Sequence, residues 1–121
     1  MPNISRQRGI SGESIAARYL EQNGYEIIER NWYCRWGEID IIARSPDGIL
    51  VFAEVKSCGE SNKFGDPLEW ITPSKIRKIV KSTRQFLFEN EIDDTPVRFD
   101  VLTVDLSDGR VEHFKDAFPA D

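Results

Sequence analysis

Histidine is nearly absent from this sequence: His113 stands alone among 121 residues. Cysteine occurs twice, as Cys34 and Cys58, in no C-x-x-C pair. Too few ligands remain for a zinc site of the Cys/His kind, and two distant thiols are expected to stay reduced in a cytosol. Any metal must then be held by carboxylates, which selects Mg²⁺ or Mn²⁺. No apolar run approaches the length of a membrane span. The opening residues Met1-Pro2-Asn3-Ile4-Ser5-Arg6 include no apolar stretch of signal-peptide type. The expectation is a soluble, cytoplasmic protein. Repeats, low-complexity tracts and linker-like segments are also missing, so residues 1–121 read as a single domain.

What is present is an ordinary globular balance, 40% hydrophobic and 31% charged. The net charge of −5 argues mildly against a polyanionic partner, but placement decides more than the sum. From Ser74 to Phe88 the chain carries Lys75, Arg77, Lys78, Lys81 and Arg84 and no acid, whereas acids gather in Glu89-Asn90-Glu91-Ile92-Asp93-Asp94. A face of this kind is either simply solvated or a track for a phosphate backbone. In the second case Lys75, Lys78, Lys81 and Arg84 are the nucleic-acid contacts.

Periodicity predicts a helix capped by Ser11, running through Ile15, Ala16, Tyr19 and Leu20 and ending at Asn23-Gly24. Tyr25 to Tyr33, Glu38 to Ala43 and Ile49 to Val55 read as three strands. Thr72-Pro73 opens a second helix whose apolar stripe is Ile76, Ile79, Val80, Thr83 and Leu87. Val97 to Val104 is a fourth strand, and Arg110 to Phe114 a short edge strand. Short links make the first three strands an antiparallel meander. The second helix acts as a crossover that brings the fourth strand in parallel to the third. The fold class is α/β, a mixed sheet with helices on its faces.

Ser45-Pro46-Asp47-Gly48 predicts a three-residue hairpin loop, a type I turn followed by a left-handed glycine. Ser45 then pairs with Ile49, which places Asp40 opposite Glu54 and Glu38 opposite Lys56. Opposed side chains share a face, with Cβ atoms roughly 5 Å apart. A loop one residue shorter or longer would send the two acids to opposite faces. Leu50 and Phe52 share the Glu54 face while Val51, Ala53 and Val55 fill the other, as in a strand covered on both sides. Two close carboxylates in such a place repel unless cations compensate them. Taken by themselves, Asp40, Glu54 and Lys56 are either a structural ion-pair cluster across a hairpin or a metal site.

Several segments together resemble a known family. These are Gly12-Glu13, Arg30-Asn31, Gly37-Glu38-Ile39-Asp40, Val51-Phe52-Ala53-Glu54-Val55-Lys56, Phe64-Gly65, Lys75 and Arg98-Phe99-Asp100-Val101. They are similar to the small bacterial proteins grouped with archaeal Holliday junction resolvases, in the PD-(D/E)xK nuclease superfamily. That resemblance implies a restriction-endonuclease-like αβββαβ core. It implies a catalytic set of Asp40, Glu54 and Lys56, with Asp40, Glu54, the main-chain carbonyl of Val55 and Glu13 as ligands of Mg²⁺ or Mn²⁺. The activity implied is endonucleolytic hydrolysis of DNA phosphodiester bonds, with branched DNA and a homodimer by analogy. Cys58 departs from the pattern, since the family usually has arginine there, which removes one phosphate contact and no ligand. Two other readings stay open: a non-catalytic nucleic-acid-binding protein with a vestigial metal site, and a protein-interaction adaptor with structural carboxylates. Trp32, Trp36 and Trp70 are read as core or rim residues before base-stacking platforms, with a wedge role open to Trp36 if the second strand begins early, and Asp100 as a structural or supporting residue.

Overall fold

The computed structural model describes residues 4–58 and 71–119, with side chains from Gly12 onward. Phe64-Gly65, Trp70 and most of the loop before the second helix lie outside the described residues. The elements are α1 (Ile4–Gln22), β1 (Glu26–Cys34), β2 (Gly37–Arg44), β3 (Leu50–Cys58), α2 (Pro73–Glu89), β4 (Val97–Asp105) and β5 (Val111–Phe114). They form one mixed sheet in the order β1-β2-β3-β4-β5, antiparallel except for the parallel β3–β4 pair. This is the expected αβββαβ order with an added edge strand. No helix among the described residues is long and apolar enough to cross a membrane.

The hairpin that joins β2 to β3 follows the turn chemistry. Ser45 N–H donates to the Ile49 carbonyl at 2.8 Å, Gly48 N–H to the Ser45 carbonyl at 2.9 Å, and Gly48 sits at φ 87. The Ser45 hydroxyl accepts a further bond from the Ile49 amide at 2.9 Å. Ile41 pairs with Ala53 and Ile42 with Phe52, the register that the loop length dictates. Thr72 caps α2 by accepting the Lys75 amide at 3.1 Å, with Pro73 in the first turn.

Two core layers fill the faces of the sheet. Under α2 lie Leu50, Phe52, Ile79, Phe86, Phe99 and Val101. Under α1 lie Ala16, Leu20, Ile41, Val51, Ala53 and Leu102. β3 is buried on both sides, as its continuous apolar run requires.

The start of α1 corrects the sequence reading: Ser11 is no N-cap, because the helix begins at Ile4 and runs through it. Gly12 there serves packing. A Cβ on Gly12 would stand 2.9 Å from the Ser57 Cβ and Oγ, so the glycine lets α1 close onto β3. β3 also runs past Val55 to Cys58, because β4 pairs with it as far as Asp105.

On the α1 side, Asp100 is wholly buried and fully bonded. Arg98 donates to both of its oxygens at 2.8 Å, His113 Nε2 lies 2.7 Å away, and the Asp116 amide donates at 3.0 Å. Arg98 also donates to the Tyr25 hydroxyl at 2.8 Å. Burial works to raise the Asp100 pKa, but the bonds from His113, Arg98 and Asp116 outweigh it and hold the carboxyl down at about 2. Asp100 is thus a clamp between β4 and β5, on the face opposite the acids of β2 and β3. Asp100→Ala leaves the part-buried Arg98 and the buried His113 ring without their carboxylate and is expected to cost about 3–5 kcal/mol of stability. Urea denaturation measures this; an unchanged midpoint would contradict the clamp.

Candidate active site

The site begins where the β2–β3 ladder stops. Regular pairing ends at Ile41–Ala53, so the expected Asp40–Glu54 and Glu38–Lys56 pairs do not continue it. Instead the Asp40 carboxylate accepts the Val55 amide at 2.8 Å, a side chain replacing a main-chain partner. β1 carries a local backbone distortion at the same level without losing its register. Arg30 pairs with Ile41 and Trp32 with Ile39, while Asn31, across from Asp40, turns into the left-handed region at φ 52. Asparagine is the residue type that tolerates this conformation best after glycine. The sheet therefore opens at Asp40 on its β3 side, while β1 and β2 stay paired above and below it.

Into that opening faces a cleft of about 210 Å³, lined by Trp36, Glu38, Asp40, Glu54, Lys75 and Lys78, with Ile79 and Ser82 behind them. Asp40 is 8% exposed. Its pKa is pushed up to about 7, first by burial and then by the charge of Glu54, against the pull of the Val55 N–H; Glu13 and Glu38 add to the rise. The Glu54 carboxylate meets the Lys75 ammonium at 2.6 Å. This partner comes from the first turn of α2, whose backbone Thr72 has already fixed.

The other anticipated residues are placed less centrally. Lys56 is exposed on β3, opposite Thr103 of β4, and does not line the cleft. Glu13 is near enough to raise the Asp40 pKa, but its carboxylate is engaged by Arg30 at 3.8 Å. Glu38 pairs across the hairpin with Tyr33, whose phenol it holds in the protonated form by its charge and a hydrogen bond. Of the basic residues, Lys75 and Lys78 line the cleft and Lys81 lies over the Trp36 ring at 4.5 Å. Arg84 faces a separate groove with Val80 and Phe118. Sequence reasoning missed Lys75 as the partner of Glu54. The signal was present: Lys75 precedes Ile79 by four residues, and Ile79 belongs to the stripe that faces the sheet.

The acids that line the cleft fit a hard divalent cation. Asp40 and Glu54 carry two negative charges when ionised, and Lys75 supplies one positive charge at Glu54. Among the described residues no three His, Cys, Asp or Glu side chains are grouped as a complete metal cage. Mg²⁺ needs none, since it is commonly held by one or two carboxylates together with waters and substrate phosphates.

A mixed sheet between two helices, with acids gathered where its central hairpin parts, is the α/β class of domain that the sequence predicts. The chain belongs to the uncharacterised protein family UPF0102, whose profile matches residues 12–104. A UPF0102 protein of Pelobacter propionicus is 42% identical over 118 residues, covering 94% of this chain and 84% of the relative. One from Bifidobacterium longum subsp. infantis is 42% identical over 117 residues, covering 93% and 94%. Among solved structures, an EndoMS–dsDNA2 complex is similar over 78% of this chain, with 19% identity and a TM-score of 0.37. The chain spans 34% of that protein's length.

The raised Asp40 pKa has a consequence for stability. An unfolded aspartate releases its proton near pH 4, whereas the folded carboxyl keeps it to about 7. Between these values the native state binds more protons than the unfolded one, so stability falls as pH rises through this window. Asp40→Asn removes the penalty. Without added metal, the variant should be more stable than the parent by about 1–3 kcal/mol at pH 8, with the gain fading towards pH 4. Denaturation at both pH values tests this, and an offset independent of pH would contradict the assignment.

Proposed function

We propose that this protein is a Mg²⁺- or Mn²⁺-dependent endonuclease that hydrolyses phosphodiester bonds of DNA. The observation that carries the reading is the convergence of Asp40 and Glu54 in one half-sheltered cleft, with Asp40 held near the boundary between its charge states. Residues that perform chemistry are commonly those with pKa values displaced by burial and by a like charge. The basic face of α2 lies beside the acids, so a polyanion can approach despite the net charge of −5.

Asp40, Glu54 and the main-chain carbonyl of Val55 would hold the metal, with Glu13 available from α1. When bound, a divalent ion supplies Lewis-acid chemistry, polarising a phosphoryl oxygen and acidifying water. The chain's own residues do the rest. Lys78 attracts and orients the phosphate, and the Lys75 ammonium stabilises the negative charge that grows on the phosphoryl group; Lys56, outside the cleft, is left without the role that the resemblance implies for it. Burial on the Leu50 and Phe52 face strengthens these interactions by excluding water. Cytoplasmic location and assembly as a homodimer accompany this reading.

One observation favours a second reading. Lys75 already neutralises Glu54 at 2.6 Å, as it would in a nucleic-acid-binding protein whose metal site has fallen silent. Incubation with supercoiled plasmid and Mn²⁺ separates the two. The nuclease reading expects nicking that EDTA stops, and a loss of at least about 100-fold in Asp40→Asn and Glu54→Gln, in line with removal of a group that stabilises the transition state. DNA binding with no scission by the parent protein would establish the silent site instead.

A further inference from the structure

The two-residue turn between β1 and β2 consists of Arg35 and Trp36, closed by the Cys34–Gly37 pair. Trp32, four residues earlier on β1, packs against the α2-side core, edge-on to Phe86 at 5.3 Å. Trp36, though only partly exposed, packs on neither core layer and lines the cleft that holds Asp40 and Glu54. What touches it is charge: the Arg35 guanidinium carbon lies 4.4 Å from the ring centroid and the Lys81 ammonium 4.5 Å. These cations come from two separate elements, the hairpin tip and α2.

We infer that Trp36 is a stacking platform for an unpaired base, so that the substrate class is DNA with a single-stranded segment beside the scissile phosphate. This rests on the nuclease reading and names the substrate of that same cleft. The chemistry matches what single strands require. A π-face accepts any base, while adjacent cations follow the backbone. Arg35 and Lys81 occupy the ring in the free protein through cation–π attraction. A polyanion offers both of them a stronger partner in its phosphates, and their transfer uncovers the ring for a base. A blunt duplex keeps its bases stacked on one another and offers the ring no face except at its ends.

The test uses the full-length chain with Asp40→Asn, so that binding is read without scission. Fluorescence anisotropy compares a labelled single strand, a forked duplex and a closed hairpin duplex. The single strand and fork should bind about tenfold tighter than the closed duplex. Trp36→Ala should abolish that preference, while Trp36→Phe retains most of it. Arg35→Ala and Lys81→Ala should each lower affinity for every form and reduce the salt slope by about one. Cross-linking with an oligonucleotide carrying 5-iodouracil should place the adduct on the peptide that contains Trp36. Equal affinity for all three forms, or an unchanged preference in Trp36→Ala, overturns the platform while leaving DNA as the nuclease substrate. Absence of binding to any DNA at low salt overturns both.

Discussion

The bond from the Val55 amide to the Asp40 carboxylate, 2.8 Å long, is the constraint on which the site depends. It terminates the β2–β3 ladder, fixes the aspartate on the α2 face, and keeps a charged group in a place that would otherwise expel it. An unpaired carboxylate at that depth would be costly. One N–H bond lowers the cost without removing it, which is why the carboxyl stays near neutrality at about 7 rather than near 4. Across from Asp40 on the neighbouring strand, Asn31 adopts the left-handed conformation, while β1 and β2 stay paired on either side of it. Interruptions of this kind weaken a sheet, so their cost is met by the rest of the fold.

Charge distribution gives the interruption its use. The chain is acidic overall, yet its cleft is built at the meeting of acids from β2 and β3 with bases from α2 and the β1–β2 tip. Lys75 stands at the junction of the two sets, bonded to Glu54 from a helix start whose geometry Thr72 and Pro73 determine. The opposite face carries a different arrangement. There Asp100 is equally buried, but four hydrogen bonds and the Arg98 charge hold its pKa at about 2. The two aspartates show how one residue type is fixed as a structural ion by full satisfaction, or held ready by partial satisfaction.

Much of this was legible in the sequence because it rests on local rules. Ser45-Pro46-Asp47-Gly48 set the hairpin register, the apolar run of β3 told of cover on both faces, and Thr72-Pro73 marked the start of α2. What local rules could not supply were contacts made across the fold. Ser11 has the chemistry of a cap, but α1 continues through it because Gly12 must meet Ser57, a residue 45 positions away. Lys56 is the lysine beside Glu54 in sequence, whereas Lys75 is the one beside it in space, across a long connection. The left-handed Asn31 facing Asp40 likewise depends on two strands at once, and no pattern in either strand announces it.

Site-resolved titration of the Asp40 side-chain carboxyl by carbon NMR, with and without Mg²⁺, tests the central claim most directly. A midpoint near 7 that moves to lower pH when Mg²⁺ is added is the result expected of a buried acid awaiting a cation. A midpoint near 4, indifferent to the metal, would contradict it.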